Sequence, residues 1–169
     1  MKKVLIVEDE ILARLGLRQL VDWKKLDLEL LPDATDGEEA LEMIRNSRPD
    51  IILLDLNIPR VSGLEILEFL KKEEMQTRVI VVSCQEEFDV VKKAMKLGAY
   101  DYLRKLNLSS DELESILEKC LGETEERNKV HMQGIREIRY EEIMRDSRDI
   151  LAGACNYQTL ICILAKDTE

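Results

Sequence analysis

Four places along the chain put a chemically able side chain directly behind an apolar run. "VLIV" (4–7) is followed by Glu8, Asp9 and Glu10, and "IILL" (51–54) by Asp55 and then Asn57. "VIVV" (79–82) is followed by Ser83, and "AYDYL" (99–103), after Arg104, by Lys105. Each alone has a bland explanation: an acid behind a strand often caps the next helix, a serine makes a turn, a lysine is solvated. Together they would form an acidic pocket with one hydroxyl and one ammonium. Crowded carboxylates repel and raise each other's pKa unless a cation intervenes. Oxygen ligands with few protein donors suit Mg²⁺, which keeps several waters in an octahedral shell. Such a metal would neutralise the pocket and admit phosphate, leaving Asp55 able to attack phosphorus and form an aspartyl phosphate. Charge on the equatorial oxygens of the transferred group would be met by the metal on one side and Lys105 on the other.

Those groups meet only if the runs lie side by side and point the same way. Five β-rich apolar runs recur, the four above and "LELL" (28–31). Between them lie segments of helical period, Ile11–Val21, Glu38–Ile44, Leu64–Leu70 and Phe88–Leu97. Strands alternating with helices at this spacing imply βαβ units and a parallel sheet, with right-handed crossovers. The runs are apolar throughout, as expected of strands covered by helices on both faces. In open α/β sheets ligands gather at the carboxyl ends of the strands, near the switch in strand order, and all the named groups lie there. Local punctuation agrees. Gly98 follows the fourth helical segment as a C-cap, and Ser109 or Ser110 can cap a fifth helix, with Asp111 and Glu112 in its first turn. Pro59 and Gly63 shape the loop that returns the chain from Asp55 to the next helix.

This α/β unit is expected to end near Leu121, giving domains at 1–121 and 122–169. The second stretch reads as a polar, helix-forming linker without a sustained heptad. It is followed by an apolar run, "YQTLICILA" (157–165). A lone strand cannot bury itself, so this run either docks elsewhere as an odd C-terminal strand or, the preferred expectation, opens a second, truncated domain. No stretch reaches ~18 uncharged apolar residues, so no membrane span is expected, and "MKKVLIVEDE" is too short in apolar length for a secretory signal. Cys84, Cys120, Cys155 and Cys162 contain no C-x-x-C pair and sit in apolar runs, as reduced core cysteines do; a reducing cytoplasm follows. His131 has no partner at useful spacing. The net charge is −10, with 25 acids to 18 bases in residues 1–121 and 10 to 7 in 122–169. Neither part is basic, which argues against direct DNA binding by this chain.

The motifs "VLIVEDE", "IILLDLNIPRVSG", "VIVVSCQEEFD" and "AYDYLRK" resemble, in order and spacing over residues 2–121, the receiver domain of bacterial two-component response regulators. The longer pattern, including "GLRQLVDWKKLDLEL" and "EEFDVVKKAMKLGAYDYL", is similar to regulators with a C-terminal AraC-type DNA-binding domain. The resemblance implies a flavodoxin-like (βα)₅ doubly wound sheet of strand order 2-1-3-4-5 with a helical C-terminal extension. It implies Asp55 as phosphoacceptor, with a sensor histidine kinase as phosphodonor and transcription as output. Mg²⁺ would be held by Asp9 and Asp55, by Glu8 through water, and by the backbone carbonyl of Asn57. Ser83 would move to hold the phosphoryl group, Lys105 would pair with it, and Tyr102 would be the switch residue whose ring turns inward. A homodimer through the face of the fourth helix, fifth strand and fifth helix would follow phosphorylation, with Lys92, Lys96, Asp101, Arg104, Glu112 and Glu118 pairing across it. Two departures stand out. Leu106 follows Lys105 where the family often has a cis proline; a cis bond before leucine costs about 3 kcal/mol, so a trans bond and a reshaped loop are expected. Glu8 replaces the common aspartate and is one methylene longer.

Rival readings share the architecture. A flavodoxin-like electron carrier needs a Ser/Thr-rich phosphate loop after the first strand, where this chain has acids. An aspartate-nucleophile phosphohydrolase needs a second acid two positions beyond its nucleophile, where this chain has Asn57. A non-phosphorylated interaction module would not keep the full set. Beyond its own phosphorylation and dephosphorylation, no enzymatic activity is expected.

Overall fold

The computed structural model describes residues 1–84 and 87–122. The linker, the 157–165 run, His131, Cys155 and Cys162 lie outside them. Five strands alternate with five helices: β1 Lys2–Val7, α1 Ile11–Leu20, β2 Leu28–Leu30, α2 Gly37–Ser47, β3 Ile51–Leu54, α3 Gly63–Lys72, β4 Arg78–Ser83, α4 Phe88–Leu97, β5 Asp101–Arg104 and α5 Ser110–Gly122. A 3₁₀ turn, Lys105–Asn107, links β5 to α5. All strand pairs are parallel and the order is β2-β1-β3-β4-β5, the (βα)₅ doubly wound arrangement expected.

The apolar strands are explained by two cores. Alternate residues of each strand point to opposite faces. Leu5, Val7, Ile52, Leu54, Val79, Val81 and Tyr102 join Ile44, Ile66 and Val91 in one buried cluster. Val4, Ile6, Ile51, Leu53, Ile80, Val82 and Leu103 join Leu17, Leu113 and Leu117 in the other. In the three central strands a polar residue in mid-strand would therefore be buried whichever way it faced, which leaves their ends as the places for chemistry.

Local signals set the helix boundaries. Asp36 accepts from the Glu38 and Glu39 N–H groups at the start of α2, and Ser62 with Glu65 forms a capping box on α3. Gly98 ends α4 in the left-handed region at φ 110°, and Ser109 Oγ accepts from Glu112 N–H in α5. Every peptide bond among the described residues is trans, including the one before Leu106. Helix α2 runs further than the Glu38–Ile44 period implies. Strand β5 starts later than "AYDYL" implies. Ala99 is tied back to α4 through its N–H to Ala94 O, and Tyr100 N–H donates to Val79 O before the β4–β5 ladder begins at Asp101.

Candidate functional site

Chain order reverses about β1, which lies between β2 and β3, so the loops leaving β1 and β3 diverge and open a crevice at the carboxyl edge. The register fixes what meets there. Val7 lies opposite Leu54, Leu54 opposite Val81, and Ser83 opposite Arg104. Glu8, Asp55, Ser83 and Lys105 therefore leave neighbouring strands within two residues of the same edge.

Asp55 stands in the middle and is 5% exposed. Its backbone N–H donates to Val7 O at 3.0 Å, extending the β1–β3 ladder by one bond. Its Oδ1 accepts from the Ser83 hydroxyl at 2.7 Å and from Asn57 N–H at 3.1 Å. Its Oδ2 accepts from Lys105 Nζ at 2.5 Å. Lys105 also pairs with Glu8 Oε2 at 2.6 Å, bridging the two acids. Glu8 is buried, its other oxygen accepting from Glu10 N–H at 3.1 Å. Asp9 is exposed at the mouth, and carboxylate oxygens of Glu8, Asp9 and Asp55 come within 4.8 Å of one another.

Burial pushes the Glu8 pKa up, and the Lys105 ammonium only partly offsets it. Burial works against the charged form of Lys105, but hydrogen bonds and charges from Asp55 and Glu8 outweigh it and raise its pKa. The lysine is thus held as an ammonium. Three carboxylates face that one ammonium, which leaves surplus negative charge in a poorly solvated place. A divalent cation would bring the group to neutrality, and all-oxygen donors suit Mg²⁺. The residues present fit that ion.

Every expected site residue is near this edge except Tyr102, which lies lower on β5. Its ring is buried in the cluster with Val81, Val91 and Ala94, already on the inner side of α4. Asn57 is exposed and reaches the site through its backbone N–H. Two expectations need correction. Cys84 is exposed rather than packed, because β4 ends at Ser83 and the chain turns outward. Arg104 is buried rather than part of the outer charged face, since β5 is covered on both sides from Tyr102 to its end.

The site also contains parts that the sequence reading passed over. Arg14, on α1, donates through Nη1 to the backbone oxygens of Glu8 at 2.8 Å and Asp9 at 3.2 Å. Arg60 sits at φ 70° and pairs with the buried Asp36 at 2.7 Å, fastening the loop behind Asp55 to the start of α2. For Arg14 the one available signal was a basic residue within two turns of an acid pair; for Arg60 there was none, since its partner lies on another loop.

A family model, described as the response regulator receiver domain, matches residues 4–118. A response regulatory protein of Staphylococcus epidermidis is 35% identical over 118 residues, 70% of this chain and 46% of that protein. The nitrate/nitrite response regulator protein NarL of Escherichia coli is 33% identical over 120 residues, 71% of this chain and 55% of NarL. The chain thus spans about half the length of these curated relatives. Among solved structures, the REC domain of AraT, a response regulator from Geobacillus stearothermophilus, matches with a TM-score of 0.65 at 30% identity, over 79% of this chain and 98% of that one. Relatives of the NarL type give the expected AraC-type output no support.

Proposed function

This chain belongs to the response regulator receiver domain family, and on that premise we propose that it stores a phosphoryl group on Asp55, taken from a sensor histidine kinase, and so controls an output domain. The observation that carries this is the pair of donors on one carboxylate: Ser83 Oγ on Oδ1 and Lys105 Nζ on Oδ2. A carboxylate so held has one fixed orientation at the floor of an open crevice, which favours attack on an incoming phosphorus. In the transfer a new Oδ–P bond forms as the donor's N–P bond breaks, and the displaced imidazole takes up a proton. The added group carries about −1.5 to −2 charges, and the Ser83 hydroxyl and the Lys105 ammonium are the donors closest to meeting them. Glu8, Asp9 and Asp55, with the Asn57 carbonyl, would hold Mg²⁺, which when bound would neutralise charge on the transferring oxygens. No acid stands two positions beyond Asp55 to activate water, so Asn57 suits a domain that keeps its phosphoryl group rather than a phosphohydrolase. Flavin carriage is not favoured by any relative.

Residues 1–121 are the receiver on this reading, and 122–169 a helical linker with the start of the output domain. The output is transcriptional in a cytoplasmic regulator. The acidic chain itself does not bind DNA, and no helix among the described residues is long and apolar enough to cross a membrane. The switch is read through α4, β5 and α5, where phosphorylation favours a symmetric dimer. The test is incubation with acetyl phosphate and Mg²⁺ followed by mass mapping. One adduct on Asp55, absent from Asp55→Asn and absent in EDTA, is expected. An adduct on Asp55→Asn at the wild-type level refutes the assignment.

A further inference from the structure

Helix α1 begins with no side-chain cap and no acid in its first turn. The loop before it carries Glu8 and Asp9, two of the three clustered carboxylates. The loop has one local tie, Glu10 N–H donating to Glu8 Oε1 at 3.1 Å, and Arg14 adds a hold from the helix. The guanidinium turns back along the helix, and Nη1 donates to both Glu8 O and Asp9 O, at 2.8 and 3.2 Å. With these two carbonyls tied to α1 by Arg14, the loop backbone is fixed while Lys105 holds the Glu8 carboxylate. Arg14 is itself held: Nε lies 3.8 Å from Asp33 Oδ2, and both side chains are only 16% exposed. Asp33 is anchored independently by Arg18 at 2.6 Å. Asp33 belongs to the segment after β2 whose Ala34 exchanges bonds with Ile6 and Glu8. The acid loop is thus clamped on one side by backbone bonds and on the other by one planar cation.

We propose that Arg14 is the positioning residue of the metal site, holding the Glu8–Asp9 backbone so that both carboxylates are set for a divalent cation before it arrives. This rests on the reading that Glu8, Asp9 and Asp55 take Mg²⁺. Arginine suits the task because its rigid planar guanidinium holds Nη1 against both carbonyls with Nε toward Asp33; a lysine, a point charge on a flexible stem, has no such fixed fork. Its positive charge also relieves repulsion among the acids without occupying their oxygens. Removing residues that orient ligands typically costs 10- to 100-fold in metal affinity.

Calorimetric titration of Mg²⁺ into the unphosphorylated chain tests this, with labelling by acetyl phosphate measured over a Mg²⁺ series. Arg14→Ala should weaken Mg²⁺ binding by about 10-fold or more, and Arg14→Lys by less. Labelling at saturating Mg²⁺ should return to within about twofold of wild type, since the residue acts on the acids and not on phosphorus. Arg18→Ala, which shares Asp33 but makes no bond to the loop, should weaken Mg²⁺ binding far less than Arg14→Ala does. Emission of the buried Trp23, whose indole donates to Arg18 O, reports whether each Arg14 variant is folded; if Arg14→Ala is not, Arg14→Lys decides. Wild-type affinity in the folded Arg14 variants overturns the proposal, as does a labelling defect that saturating Mg²⁺ does not repair. Failure of the wild-type chain to bind Mg²⁺ overturns the metal reading instead.

Discussion

Glu8 carries a carboxylate whose charged form burial opposes. It is buried, one methylene longer than the aspartate that usually stands there, and shares Lys105 with Asp55. Its folded-state pKa is raised, chiefly by burial. Its contribution to stability is therefore greatest below the unfolded carboxyl value and is lost as pH rises through the raised one. Without metal, the Glu8 charge works against the fold once it forms, and a bound cation should reverse that. We accordingly expect Glu8→Gln to melt about 2–6 °C higher than wild type in EDTA, on the order of 1 kcal/mol, and to gain less from added Mg²⁺. Thermal melts with and without Mg²⁺ measure both. A lower melting point for the variant in EDTA would show that its pairing with Lys105 outweighs its burial.

At the scale of elements, the segment from β3 to α3 does the positioning. It leaves Asp55, is fastened to α2 by Arg60 and Asp36, and returns through Gly63, whose N–H donates to Leu56 O at 3.1 Å. A Cβ on Gly63 would lie 2.5 Å from Asp55 O and 2.7 Å from Leu56 Cα, both backbone atoms that cannot swing aside. Gly37 is similarly confined, with Val61 O at 1.9 Å from its would-be Cβ. The adjacent capping box affects only the helix. Ser62→Ala should cost about 1 kcal/mol of stability and leave Asp55 labelling near wild type. Gly63→Ala should move the Asp55 backbone and lower the labelling rate at least tenfold, roughly 1.4 kcal/mol in barrier. Denaturant unfolding beside labelling kinetics separates the two. Equal labelling rates would mean that the α3 start shifts as a unit without disturbing Asp55.

For the whole molecule, the proposed function requires that a phosphoryl signal leave the crevice. The path available is Ser83 on β4, then Tyr102 on β5, then the surface of α4 and α5. In this structure Ser83 is already bonded to Asp55 and Tyr102 is already buried. Lys92, Lys96, Asp101, Glu112 and Glu118 lie on the elements of that face, where mixed charges can pair across a two-fold axis; Arg104, being buried, is not among them. Beryllium fluoride with Mg²⁺ should therefore shift sedimentation toward a dimer, by a coupling of about 1–3 kcal/mol, and the unmodified chain should dimerise at higher concentration. An unchanged equilibrium at full Asp55 occupancy would mean that the signal leaves by another surface.

The sequence by itself determined the strands, the parallel sheet and the set of groups at its carboxyl edge. Strands covered on both faces must be apolar along their length, so Asp55, Ser83 and Lys105 could stand only at or beyond strand ends, and caps such as Gly98 and Ser109 act within a few residues of themselves. Only the tertiary structure decided which distant groups meet. Arg14 and Arg60 look like solvated surface charges until helix rotation and loop path bring Glu8 O and Asp36 to them. Arg104 and Cys84 exchanged their expected burial because exposure at a strand end depends on the direction in which the chain turns. The start of β5 was likewise set by the backbone bonds that Ala99 and Tyr100 make to α4 and β4. Contacts of this kind join parts of the chain that local pattern does not relate, and they form only when the two cores have packed.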